Sequence, residues 1–215
     1  LRQVLVEGVN AVDPTQTTVP FSLDHNRMIV QLEFVRSDGS VRCARAWVDT
    51  GSEFLTMAET LARDLDLDVS GLDGERLSVD LTSPAPPVRL GGLPLDVDGV
   101  RTRASRGAYP WPGISAEANL PASLLRRQHV VFDYPAGHLT VARPGVLRPK
   151  GVRVPCRVNT ETGLFMIEDS IDGRVVALGV DNGSAGTWVA DTLTTEWRAD
   201  HPDWQQATGA AGSAN

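Results

Sequence analysis

Lysine is almost missing from this 215-residue chain: Lys150 stands alone, and every other basic residue is arginine. Acidic residues outnumber basic ones, giving a net charge of −7, which argues against nucleic acid or an anionic membrane surface as a partner. The two cysteines, Cys43 and Cys156, are too few for a disulfide framework and are expected to be buried thiols. No apolar run is long enough for a transmembrane helix, and no signal peptide is visible. His25, His129, His138 and His201 are scattered without metal-ligand spacing. There is no Gly-x-Ser-x-Gly elbow. Gly91-Gly92 reads as a turn, since no Lys-Ser/Thr follows it as in a phosphate loop. Cys43 lies in a strand-like run without an identifiable base, so thiol catalysis is not expected. No metal and no cofactor are expected.

What is present is an ordinary globular apolar fraction, 41%, in a composition rich in Ala, Gly, Val, Asp and Arg that fits a high-GC bacterium. The chain starts at Leu1 rather than Met. The chain is therefore expected to be cut short at its N-terminus, with a removed signal or anchor left open, and the compartment stays open, a secreted or periplasmic one included. The five tryptophans, Trp47, Trp111, Trp188, Trp197 and Trp204, are expected in the core or at interfaces.

The organisation reads as mostly β. Met28 to Val35 and Val41 to Val48 are rich in β-formers and flank the turn signal Ser37-Asp38-Gly39-Ser40. Helical spacing follows from Met57 to Leu65, with a Thr56/Glu59 capping box. Val88 to Leu95 and Val100 to Ala104 flank a turn at Asp98-Gly99. Tyr109-Pro110-Trp111-Pro112-Gly113 reads as an irregular loop and Leu120 to Arg127 as a short helix. His129 to Tyr134 and His138 to Ala142 form a hairpin. Arg143 to Lys150, with two prolines and a glycine, reads as a linker. Strands resume over Val152 to Val158, Leu164 to Ser170 and Arg174 to Val180. A helix follows from Asp191 to Trp197, and Gly209 to Asn215 is a small, polar, flexible tail.

One motif occurs twice. Asp49-Thr50-Gly51-Ser52 ends the first strand pair, and Asp181-Asn182-Gly183-Ser184 ends the last. Asp49 to Leu65 aligns without gaps on Asp181 to Trp197, with Ala58/Ala190, Thr60/Thr192 and Leu61/Leu193 also identical. Upstream, Val19-Pro20-Phe21 matches Val154-Pro155-Cys156. A repeat at this long spacing indicates duplicated lobes, since solenoids repeat at much shorter periods. The expected lobes are residues 1–147 and 148–215.

Strand, Asp-Thr-Gly-Ser, short strand and helix resembles the active-site segment of the retropepsin-like aspartic proteases. Asn119-Leu120-Pro121-Ala122-Ser123-Leu124-Leu125, then Val130-Val131-Phe132-Asp133-Tyr134 and His138-Leu139-Thr140-Val141, resembles the end of that family's lobe. The resemblance implies a retropepsin/pepsin-like acid-protease barrel in duplicated lobes, and an endopeptidase acting on a peptide or protein substrate. Asp49 and Asp181 would be the catalytic pair. Two carboxylates about 3 Å apart share one proton across a wide pH range. The ionised member takes a proton from water while the protonated member polarises the scissile carbonyl. Thr50 and Asn182 would hydrogen-bond across the lobe interface, Gly51 and Gly183 would allow close backbone approach, and Ser52 and Ser184 would orient the carboxylates. Leu77 to Leu95 would supply a covering flap.

The sequence departs from the family pattern in three ways. Asn182 stands where Thr or Ser is usual, and Pro121 where Gly is expected. The second lobe is incomplete in this chain, far less sequence following Asp181 than Asp49; its remainder would come from a separate segment or a second protomer. Two other functions stay open: a homodimer that pairs Asp49 from two chains, and a non-catalytic peptide-binding module on the same scaffold.

Overall fold

Alternation of apolar and polar side chains builds the central hairpin. In the computed structural model, which describes residues 14–72, 75–106, 113, 115–148, 150–160 and 162–205, β3 (Arg27–Val35) and β4 (Val41–Asp49) pair antiparallel from Ile29↔Trp47 to Val35↔Val41. Gly39, at φ 82°, closes the turn, and Asp38 Oδ1 accepts the Ser40 N–H at 2.8 Å. Met28, Leu32 and Phe34 of β3 and Ala44, Ala46 and Val48 of β4 are at most 1% exposed. Cys43 falls on the opposite parity and is exposed, as is Cys156, so neither is the buried thiol expected.

Around this hairpin the fold is mostly β. β1 (Gln16–Pro20) and β2 (Ser22–Asp24) precede it. After it come β5 (Leu55–Ala58), α1 (Glu59–Asp64), β6 (Ser78–Asp80), β7 (Val88–Leu90), β8 (Leu93–Pro94), β9 (Thr102–Ser105), β10 (Ala118–Pro121), α2 (Ala122–Leu125), β11 (His129–Asp133) and β12 (His138–Ala142). One sheet runs β6-β9-β5-β10-β4-β3-β7-β8, with β2 paired to β3; a second runs β1-β12-β11. Strand β10 lies parallel to β4, which sets Pro121 opposite Asp49. The pairing holds the end of β4 between neighbours, so the chain leaving Asp49 turns in a fixed place.

Several elements differ from the sequence reading. Met57 lies in β5, and α1 begins only at Glu59, with Ala58 as an N-cap that makes no side-chain cap bond. The capping box does not form, because Thr56 is held in a strand paired on both sides and its N–H donates to Asn119 Oδ1 at 2.7 Å. Glu59 instead meets Arg63 and Arg106. Met57, Leu61 and Leu65 are nevertheless all buried, the first from a strand, the second from the helix and the third from the helix C-cap. The stretch expected as a flap does not hang free. Its β7–β8 hairpin buries Leu90 and Leu93 completely, and the Gly91 carbonyl accepts a bond from Thr17 Oγ1 in β1 at 3.1 Å. Helix α2 is only four residues long, because Leu120 and Pro121 belong to β10. The loop expected at Tyr109–Pro112 and the tail from Gly209 lie outside the described residues.

The C-terminal part is a meander of β13 (Cys156–Val158), β14 (Phe165–Ile171) and β15 (Arg174–Val180), followed by α3 (Asp191–Asp200). Its sheet repeats the β2–β3–β4 order, and Ala190 caps α3 at φ −61°, ψ 141°, as Ala58 caps α1 at φ −60°, ψ 146°. Its burial differs. Val180 is 41% exposed where its counterpart Val48 is 0%, and Trp188 and Trp204 are 67% and 52% exposed rather than in a core. No helix among the described residues is long and apolar enough to cross a membrane.

Asn119 is one of the polar residues buried within the first part. It is 2% exposed, and its carboxamide also donates to the Phe54 carbonyl at 3.0 Å. Asn119→Ala leaves the buried Thr56 N–H without its acceptor. It is expected to cost about 2–3 kcal/mol, read as a lower urea midpoint with unchanged slope.

Candidate active site

The two Asp-x-Gly-Ser turns meet face to face. Thr50 Oγ1 donates to the Val180 carbonyl at 3.0 Å and accepts the Asn182 N–H at 3.1 Å. In return, Asn182 Oδ1 accepts the Thr50 N–H at 3.2 Å. Each aspartate is held in its own turn by the glycine two residues on. The Gly51 N–H donates to Asp49 Oδ1 at 3.1 Å, and the Gly183 N–H donates to Asp181 Oδ1 at 2.8 Å.

The glycines also make room for the opposite carboxyl. A Cβ on Gly51 would stand 2.6 Å from the Asp181 carboxyl carbon, and one on Gly183 would stand 2.7 Å from that of Asp49. Real Cβ atoms do not approach that closely, so only glycine allows both turns to close on each other. The arrangement brings Asp49, Thr50, Gly51, Asp181, Asn182 and Gly183 into one cluster. The hydroxyls of Ser52 and Ser184 point elsewhere. Ser52 Oγ donates to the Phe54 carbonyl at 3.2 Å and Ser184 Oγ to the Gly186 carbonyl at 2.6 Å, so each braces the chain after its motif rather than orienting a carboxylate.

The electrostatics are uneven. Burial pushes the Asp49 carboxyl up to about 7, and the nearby Asp181 carboxylate pushes the same way. The Gly51 N–H, the Asn119 carboxamide and the Arg27 charge pull it down without reversing the effect. Asp181 is the more exposed partner. A buried carboxyl that holds a proton to near-neutral pH, facing an exposed one, can carry out paired acid and base chemistry.

Two residues at this site went unnoticed as functional in the sequence. Asn119 entered only as the first residue of the segment Asn119 to Leu125 that resembles the end of the family's lobe, with no role of its own. Arg27 carried no signal at all, lying far upstream of either motif. Its Nε donates to the Gly183 carbonyl at 2.9 Å, and its guanidinium lies 5.3 Å from the centre of the Trp47 ring.

No family model matches this sequence, and no curated protein does. Among the solved structures to which the chain is similar are three proteins. One is a retropepsin-like aspartic protease from Rickettsia conorii, at 16% identity and TM-score 0.39, covering 59% of this chain and 90% of that one. Another is the retroviral protease-like domain of Ddi1 from Leishmania major, at 15% identity and TM-score 0.37, covering 54% and 93%. The third is an aspartic proteinase from Irpex lacteus, at 15% identity and TM-score 0.46, covering 87% and 68%.

The cross-motif bonding is incomplete on one side. A hydroxyl accepts and donates through one atom, as Thr50 Oγ1 does. A carboxamide divides these roles, and the buried Asn182 Nδ2 has no partner. Asn182→Thr removes that orphan and restores a donor at the accepting atom. The variant is expected to gain about 1 kcal/mol, measured as a higher melting temperature with the secondary structure unchanged.

Proposed function

We propose that this chain is an aspartic endopeptidase of two lobes, each contributing one aspartate to a water-activating pair. The observation that carries the reading is the reciprocal seating of each carboxyl on the other motif's glycine. The pair shares one proton, which rests on the more buried Asp49. The exposed Asp181 carboxylate takes a proton from a water molecule, whose oxygen attacks the scissile carbonyl. The Asp49 O–H donates to the carbonyl oxygen as negative charge develops there. Collapse of the tetrahedral intermediate breaks the C–N bond, with Asp181 returning its proton to the leaving amine. The substrate is a peptide in extended form, which suits a site built at strand ends.

A second Asp49 from another copy would need the place that Asp181 fills, which weighs against the homodimeric alternative. The orphaned Asn182 Nδ2 favours a peptide-binding module without turnover as the competing reading, because it marks a loosened contact at the pair.

Hydrolysis of a broad peptide library separates the two. Asp49→Asn and Asp181→Asn, each alone, are expected to lower kcat/KM by at least about 100-fold. Turnover surviving in Asp181→Asn rejects the intramolecular pair, and an inactive wild-type protein at every pH supports the binding module. Loss of the shared proton sets the alkaline side of the profile. With Asp49 titrating at about 7, kcat/KM is expected to fall about tenfold per pH unit above that value.

A further inference from the structure

Besides Thr50 and Asn182, the two copies of the repeat differ at two positions close to the pair. Ile29 lies opposite Trp47 in the first hairpin, and Met166 lies opposite Gly179 in the last. Trp47 and Gly179 occupy the same place relative to Asp49 and Asp181. Two residues before Ile29 is Arg27; two before Met166 is Leu164. The first copy therefore stacks a guanidinium on an indole, whereas in the second copy Leu164 lies against Gly179, the residue that lacks a side chain. A hairpin of this shape forms without a charge there, so Arg27 is not required by the local fold.

Its contacts lead across the interface. Arg27 Nε donates to the carbonyl of Gly183, the residue whose missing Cβ makes room for Asp49. Trp47 lines the same spot, its Cζ2 standing 3.0 Å from where a Gly183 Cβ would be. Resting on the aspartate-pair reading above, we infer that Arg27 is a positioning residue for that pair: held on the Trp47 face, it seats the Asp181 turn through the Gly183 carbonyl and sets a fixed positive charge beside Asp49. An arginine suits both tasks, because its planar head stacks on an aromatic ring while its Nε–H still donates sideways. Asp181 and Arg27 are the charged groups acting on Asp49, with opposite signs, and Asn119 and the Gly51 N–H contribute hydrogen bonds.

The test follows the aspartate carboxyl carbons by NMR titration in the wild-type protein, Arg27→Met and Arg27→Lys, alongside peptide hydrolysis. Arg27→Met keeps a long apolar stem over Trp47 and loses the charge and the donor. Its Asp49 titration is expected to move up by roughly 0.5–1 pH unit, with the alkaline limb of kcat/KM moving the same way. Arg27→Lys keeps the charge without the Nε donor; it is expected to titrate near wild type while kcat falls. A folded Arg27→Met protein that titrates as wild type overturns the inference, and so does an Arg27→Lys protein that titrates like Arg27→Met. Should Arg27→Met not fold, the lysine variant alone decides: unchanged kcat overturns the seating role. Failure of the aspartate-pair reading looks different, since the wild-type protein would then hydrolyse no peptide whatever its carboxyls titrate.

Discussion

Everything at the centre of this molecule depends on two glycine turns closing on each other. The carboxyl of each aspartate occupies the space that a side chain on the other turn's glycine would fill. That contact is reciprocal, so neither turn can shift without moving the opposite carboxyl. It also explains the supports around it. Strand β10 runs parallel to β4 up to Pro121, opposite Asp49, which fixes the exit of the first turn. Asn119 ties that strand to Thr56 and Phe54 immediately after the motif. Thr50 then reaches across to the backbone of the second turn. The burial that perturbs Asp49 is a consequence of this closeness.

The duplication is faithful in local geometry and unequal in chemistry. Both serines bond the carbonyl two residues on, and both alanine N-caps have nearly the same dihedrals. Yet Thr50 faces Asn182, Arg27 faces Leu164 in position, and Val48 is sealed where Val180 is not. Each difference breaks the symmetry between the aspartates. A symmetric pair has no preferred home for its proton. Here burial raises the deeper carboxyl, Asp49, while Asp181 is the more exposed of the two.

The readable part of the fold was the part governed by short-range rules. Strand-like runs beside turn residues located β3, β4, β14 and β15 to within a residue, and the gapless repeat carried through to the helix starts. Periodicity misjudged the start of α1, because Met57 is buried equally well from a strand, and the partners that hold it as one, β9 and β10, are remote in sequence. Cys43 was misjudged because its strand parity, not its residue type, decides its exposure. The site was legible where both halves carried the same letters. Arg27 and Asn119 were not, since each acts through a neighbour that only the folded chain supplies, a carbonyl of Gly183 in one case and an N–H of Thr56 in the other.

Three unfavourable terms converge on this interface. Asp49 is held at a value well above the ordinary 3.8, and the buried Asn182 Nδ2 and Trp47 Nε1 have no hydrogen-bond partners. A carboxyl whose folded value is raised contributes stability that is complete below its unfolded value and is lost as pH rises through about 7. The contact therefore weakens the fold as Asp49 loses its proton. The offset lies nearby, in the apolar packing of Met28, Leu32, Phe34, Leu55, Met57, Leu120 and Leu124, all fully buried. Buried apolar surface is indifferent to pH, so it can hold the two turns together across the range in which the carboxyls change charge. The unfavourable polar groups are thus gathered at one contact, and the apolar core that holds it does not titrate.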